Sequence, residues 1–348
     1  MSQSTFGKKF TVTTWGESHG KALGTVVDGV PAGLFLTEAD IQTYLDRRKP
    51  GQSRYTTARN EGDEVEILSG IFEGQTTGTP ISMIVRNKDQ RSRDYGNIAQ
   101  TYRPGHADFG FDSKYGFRDY RGGGRSSGRE TIGRVAAGAI AAKILKELGI
   151  TLQAYTRSIG PVSCHSYHPE VIKENSFYMP DMVAAEKASQ YLEQCMKEED
   201  SAGGVIECRI NGVPAGIGDP VFGKLDAAFA QALMSIGAVK AVGIGDGIKV
   251  STMKGSEDND GFHMENGRIV KTPNHSGGIL GGISDGGEIL RLKCHSGFYQ
   301  HILKAEDGKG GLVAVLSLLA GVDDLLQGRC YLFAGALDVL LRKFAIFV

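Results

Sequence analysis

The chain is poor in several things that would have narrowed its class. Among 348 residues there is one Trp, ten Pro and five Cys. The cysteines (Cys164, Cys195, Cys208, Cys294 and Cys330) are odd in number, widely spaced and form no CxxC pair. That excludes a disulfide framework and reads as reduced thiols in a cytoplasmic protein. The first seventeen residues carry no apolar core segment, so no signal peptide is expected. The apolar run Leu312–Val322 stops at Asp323-Asp324, short of the roughly 18 residues a membrane span needs. Neither charge sign dominates: the net charge of −1 gives no reason to expect a nucleic-acid or membrane partner. There is no HxH, HExxH or Cys pair, so no metal is expected. A GxSxG elbow, a Walker loop and a GxGxxG after a strand are also missing.

What is present is uneven. Hydrophobic and charged fractions of 41% and 23% are ordinary for one large globular domain or two. From Asp46 to Arg134, however, thirteen Arg and three Lys stand against twelve acidic residues, and the rest of the chain is net acidic. The excess centres on Tyr102–Arg134, which packs Arg103, Arg118, Arg121, Arg125, Arg129 and Arg134 around His106 and Gly122-Gly123-Gly124. Ser126 and Ser127 follow, and then an alanine-rich helix over Val135–Leu148. A glycine loop entering a helix offers backbone N–H groups to an anion, and arginines add planar charged forks. The stretch reads as a pocket for a small, strongly anionic ligand, against the plainer reading of an arginine-rich surface loop.

Along the chain, Phe10–Trp15 and Ala22–Val27 have strand composition and flank the turn Gly16-Glu17-Ser18-His19-Gly20. Thr37, with Asp40 three residues on, predicts a helix start that runs to about Arg47. Val65–Phe72 and Ile81–Val85 read as further strands, Met182–Lys197 and Leu225–Ser235 as helices, and Asp258–Gly267 as turns. The segment Val26–Leu34 resembles Arg209–Ile217, each a strand entering Gly-Val-Pro-Ala-Gly before a helix. Two related β/α halves are therefore expected.

Two histidines have polar, glycine-flanked settings: His19 between Ser18 and Gly20, and His106 in Arg103-Pro104-Gly105-His106-Ala107-Asp108. A solitary His is more often structural than catalytic, yet histidine is the side chain best matched to proton transfer near neutrality. The residues alone imply an enzyme or receptor for a phosphorylated or polycarboxylate small molecule.

Trp15–Gly20, Asp46–Arg54, Arg103–Asp108, Arg118–Arg129 and Asn274–Ser284, in that order, resemble the signatures of the chorismate synthase family over roughly residues 5 to 293. The resemblance implies an α+β fold, a β-α-β sandwich with two pseudo-repeated halves, and a homotetramer. It implies a 1,4-elimination of phosphate from 5-enolpyruvylshikimate 3-phosphate to give chorismate, dependent on reduced FMN, with NADPH as a candidate reductant. By resemblance His19 protonates the departing phosphate and His106 serves the reduced flavin. Arg48, Arg54, Arg103 and Arg129 would bind substrate, and Arg125, Ser126, Ser127, Gly237, Ala238 and Gly281 would hold FMN. Gly128 replaces a usual Ala.

After Lys293 the family's KPT-S-S-like flavin segment and an RHDPC-like motif with a catalytic Asp are missing, and Asp323, Asp324 and Asp338 match no such motif. One set of codons for Cys294–Ile302, read a nucleotide later, encodes Ala-Thr-Pro-Ala-Ser-Thr-Ser-Ile, which is similar to the missing segment. The expectation is a catalytic domain over 1–293 and a departing, frame-shifted segment over 294–348. Three readings stay open at this level: an active lyase, an inactive flavin- or anion-binding remnant, and a flavin oxidoreductase using a nicotinamide donor.

Overall fold

The computed structural model describes residues 4–49, 61–88 and 100–296. The chain forms two compact units, the first reaching Ile140 and the second starting at Ala141. The fold mixes helices with antiparallel sheets, as an α+β class requires. Among the described residues, no helix is long and apolar enough to cross a membrane.

The first unit holds strands β1 (Thr5–Phe6), β2 (Thr11–Gly16) and β3 (Ala22–Asp28), then helix α1 (Glu38–Arg48). Strands β4 (Val65–Ile67), β5 (Ile71–Phe72), β6 (Gln75–Thr76) and β7 (Ile81–Arg86) follow, then α2 (Asp108–Tyr115) and the start of α3 (Thr131–Glu147). Five of these strands make one sheet in the order β1-β2-β3-β7-β4. Residues alternate across a strand, so β7 buries Ile81, Met83 and Val85 on one face and leaves the other half-open. Helix α1 begins as expected: the Thr37 N–H donates to the Asp40 carboxylate at 2.9 Å. Its buried face is Ile41, Leu45 and Arg48.

Three expectations shift. Val65–Phe72 is not one strand: β4 stops at Ile67, and β5 leaves it to pair with β6. Helix α3 starts at Thr131, before Val135, because the Thr131 hydroxyl donates to Gly128 O at 2.6 Å and closes its first turn. Helix α2 forms inside the stretch expected to be loop and ends at Gly116, whose φ is +72°.

The second unit holds β8 (Thr151–Ile159), β9 (Val162–Ser163), α4 (Met182–Lys197), β10 (Gly204–Asn211), α5 (Leu225–Met234) and β11 (Val239–Gly243). A hairpin, β12 (Gly261–Glu265) with β13 (Arg268–Thr272), occupies the region expected to be turns. A shorter hairpin, β14 (Ile279–Leu280) with β15 (Ile283–Ser284), precedes β16 (Ile289–Ser296). The five-stranded sheet runs β9-β8-β10-β16-β11. Helix α4 has the expected bounds; Asp181 caps it by accepting from Ala184 N–H at 3.0 Å, and Ala184, Ala185, Ala188, Leu192 and Cys195 are buried along one stripe. Strand β16 continues three residues past Lys293, pairing with both β10 and β11. The rest of the segment expected to depart, 297–348, lies outside the described residues.

Two strands hold matching places in the two sheets: the one after the small hairpin (β7, β16) lies beside the one after the helix (β4, β11). The related turns also make the same bonds. In the first, Thr76 Oγ1 accepts from Leu34 N–H at 2.9 Å and donates to Pro31 O at 2.6 Å. In the second, Ser284 Oγ accepts from Ile217 N–H at 2.9 Å and donates to Pro214 O at 2.6 Å.

Candidate active site

Strand β2 ends at Gly16 and β3 starts at Ala22, leaving a five-residue connection that carries Ser18 and His19. A polar hairpin tip normally faces water. Here Ser18 and His19 are buried, His19 with only 8% of its surface exposed. The connection is closed by Gly20 N–H donating to Glu17 O at 3.0 Å.

The imidazole is held against Gly122. A Cβ on that residue would sit 2.5 Å from His19 Cδ2 and 2.9 Å from Nε2, and the backbone there has φ +67°. Only glycine meets both conditions. The Gly122 carbonyl accepts from Arg103 Nη2 at 2.8 Å. Arg103 in turn grips Asp108 through Nε at 2.8 Å and Nη2 at 2.7 Å. The hydrogen bond from the Arg103 side chain is the largest reason the Asp108 carboxyl titrates at about 2, against the upward push of burial. The turn that carries His106 begins at this same arginine, whose carbonyl accepts from His106 N–H at 3.2 Å. His106 itself is exposed. Arg103 thus ties the two histidine loops together.

Asp119 lies close enough to His19 to feel its charge. Its carboxyl is held below the usual range chiefly by the hydrogen bond from Arg121, opposed by burial, with His19 a smaller contribution.

A second group of charges is buried behind this wall. Arg48 (4% exposed), Arg129 (5%), Glu61 (2%) and Asp63 (2%) meet where α1 ends and α3 approaches. Asp63 takes Arg48 Nη1 at 2.5 Å on one oxygen and Arg129 Nη1 at 2.8 Å on the other. Glu61 lies 3.7 Å from Arg129 Nη2, and Arg48 Nε donates to Thr131 Oγ1 at 3.3 Å. Two guanidinium groups and two carboxylates are neutral as a set, which is how four charges tolerate burial. Asp63 adopts φ +46°, a conformation uncommon outside glycine.

The glycine-serine loop is arranged differently from the open N–H cradle expected of it. Ser126 N–H donates to Gly123 O, Glu130 N–H to Ser127 O and Arg129 N–H to Ser127 Oγ. Ser126 Oγ donates to Gly123 O at 2.7 Å. These groups close two short 3-10 turns, Gly124–Ser126 and Gly128–Glu130, before α3 begins. Arg125 bonds the end of β2: Nη1 donates to Gly16 O at 3.1 Å, and Nη2 to Thr14 O at 3.0 Å and Thr14 Oγ1 at 2.7 Å.

The structure therefore brings His19, Arg48, Arg103, Arg125 and Arg129 into one connected network in the first unit. Arg54 lies outside the described residues. In the second unit, Gly237 and Gly281 each have open space where a side chain would stand, and Ala238 adopts φ +68°. Sequence reasoning missed Glu61, Asp63 and Asn87. The first two sit in Asn60-Glu61-Gly62-Asp63-Glu64, which has the composition of a solvated turn.

Comparisons with known proteins agree with one another. The family model described as "Chorismate synthase" matches residues 10–296. A curated chorismate synthase of Agathobacter rectalis is 63% identical over 292 residues, which is 83% of this chain and 80% of that protein. One from Methanosarcina mazei is 54% identical over 294 residues, again 83% and 80%. A solved structure titled "Crystal Structure of Chorismate Synthase" matches with a TM-score of 0.76 at 30% identity, covering 92% of this chain and 93% of that one.

Proposed function

We infer the chemistry of this site from one premise: the chain belongs to the chorismate synthase family. It is a lyase of the shikimate pathway, and the reaction of its family is the 1,4-elimination of phosphate from 5-enolpyruvylshikimate 3-phosphate to give chorismate. The substrate carries one phosphate and two carboxylates, which accounts for a local excess of arginine in a chain of net charge −1.

In our reading the buried His19 gives its proton to the departing phosphate. Burial keeps competing water off the imidazole, and Gly122 sets its position. Arg48, Arg54, Arg103 and Arg129 receive the anionic groups. Asp63 fixes two of them before substrate arrives, so little ordering is left to do on binding. His106, exposed beside the Arg103 turn, is the group we assign to proton transfer at the reduced flavin.

The family implies a reduced flavin, and the residues fit one. The backbone at Gly237 and Gly281 is open to the close approach of a flat ring, and Ser126 carries its hydroxyl at the surface. We assign FMN as that flavin, with Arg125, Ser126, Ser127, Gly237, Ala238 and Gly281 as its contacts and NADPH as a candidate reductant. When bound, FMN in its reduced form would supply an electron transiently and recover it, so that the reaction would show no net redox change. We further propose that the fold is a β-α-β sandwich with two pseudo-repeated β/α halves, and that the protein is a cytoplasmic homotetramer.

The observation that carries the catalytic reading is the burial of His19 against Gly122, within the arginine network. It is tested by single-turnover chorismate formation with pre-reduced FMN. His19→Ala and His106→Ala are each expected to lower turnover by about 10- to 10⁴-fold with the fold intact. Unchanged rates in both would overturn the assignment.

One observation favours a second reading. The family model matches residues 10–296 and not the 52 residues after them. On this alternative reading 294–348 is out of frame and the chain as written is a binding remnant, with a third catalytic group and part of the flavin site missing. Restoring the frame after Lys293 is expected to strengthen FMN binding and turnover together. Full activity without that change would refute it.

A further inference from the structure

Asn87 follows β7 directly and stands between the two halves of the network. Its side-chain nitrogen donates to Glu17 O at 3.2 Å and to Gly20 O at 2.8 Å, the residues on either side of Ser18 and His19. Its side-chain oxygen accepts from Arg129 Nε at 2.7 Å. Both hydrogens and the oxygen of the amide are thus in use, and the orientation is forced: one side offers two carbonyls and the other an obligatory donor. The neighbouring backbone reinforces the position. Asn87 N–H donates to Lys21 O at 3.1 Å, and Lys88 N–H donates to Glu61 Oε2 at 3.0 Å. Glu61 is itself beside Arg129.

We propose that Asn87 is a positioning residue that fixes the His19 turn relative to the Arg129 guanidinium, so that a phosphate held by the arginine meets the proton on the histidine. This rests on the reading of His19 as the acid. Aspartate at 87 is nearly isosteric and keeps the acceptor for Arg129, but it loses both donors to the turn. Alanine loses all three bonds. Displacing a reacting group by about 1 Å can cost about 100-fold in rate.

The test uses the full chain with isotope-labelled histidine, the His19 ring signals being assigned by their loss in His19→Gln. In Asn87→Asp and Asn87→Ala the His19 signals are expected to move and their titration midpoint to change, while those of His106 stay in place. In single turnover Asn87→Asp is expected to lower the rate about 10- to 100-fold with substrate KM within about threefold, and to cause no further loss in a His19→Ala background. Unchanged His19 signals in both variants would overturn the proposal, as would an Asn87→Asp loss of equal size with and without His19. Normal turnover by Asn87→Asp beside a slow His19→Ala overturns this inference alone. Normal turnover by His19→Ala overturns the acid assignment and this inference with it.

Discussion

The two units share a frame and differ in what hangs from it. Each has a five-stranded antiparallel sheet that ends on the strand after a small hairpin and then the strand after a helix, while the other edge differs, β1-β2-β3 in one and β9-β8-β10 in the other. In each a hydroxyl from a small hairpin, Thr76 or Ser284, closes a Gly-Val-Pro-Ala-Gly turn with the same two bonds. From that turn each chain enters a helix. In the second unit this is α5, which buries Leu225, Phe229, Ala232 and Leu233. In the first it is α1, which ends on the buried Arg48 and delivers it to Asp63. The second unit has buried charge too, but in a different place: Lys271 on β13 pairs with Asp260 at 3.3 Å and with Asp285. What recurs is whatever closes turns and fills the sheets. The charged groups of the first unit, Arg48, Glu61, Asp63 and Arg129, lie outside its sheet.

The largest expected effect follows from that contrast. Asp63→Ala removes the carboxylate shared by two buried guanidiniums, and losing one partner of a buried ion pair costs about 3–5 kcal/mol. The urea midpoint should fall accordingly. A loss below about 1 kcal/mol would mean that water already reaches the cluster and that the first unit is not built around sheltered charge.

Gly122→Ala comes next. Its Cβ would crowd His19 at 2.5 Å, and the residue would also be held at φ +67°. The left-handed backbone alone costs about 1–2 kcal/mol, and the displaced imidazole should slow turnover as well. Gly124→Ala is the control: φ is +52° but nothing lies within 4 Å of the added carbon. It should show the backbone cost with little effect on rate. Equal rates in the two variants would separate Gly122 from the histidine.

These features were not equally legible in the sequence. Thr37 with Asp40 and the α4 stripe are local, because each is decided by residues of a single helix. The repeated turn was legible as a motif, but the hydroxyls that close it, Thr76 and Ser284, lie 42 and 67 residues away. The Gly-Ser loop was misread for a physical reason. Its composition promised free N–H groups, but the hydroxyl and carbonyl of Ser127 satisfy two of them inside the loop. Asp63 and Asn87 were invisible because their partners are distant in sequence. Arg129 lies 66 residues from Asp63 and 42 from Asn87, and nothing in an acidic turn or in Arg86-Asn87-Lys88 announces a buried arginine.

The smallest effects test the shared frame itself. Thr76 and Ser284 are both buried, and each hydroxyl satisfies one N–H and one carbonyl in its turn. Truncating either to Ala leaves a buried N–H without its acceptor and should cost about 1–3 kcal/mol. If the turns are equivalent, the two losses should agree to within about 0.5 kcal/mol and add in the double variant, since the residues belong to different units. The exchanges Thr76→Ser and Ser284→Thr keep the hydroxyl and change one methyl group, worth about 1 kcal/mol of packing. They should move the urea midpoint least, and in opposite directions if each site has room for the methyl. A Ser284→Thr loss well above that of Ser284→Ala would show that the second turn has no such room. The likeness would then extend to its hydrogen bonds but not to its packing.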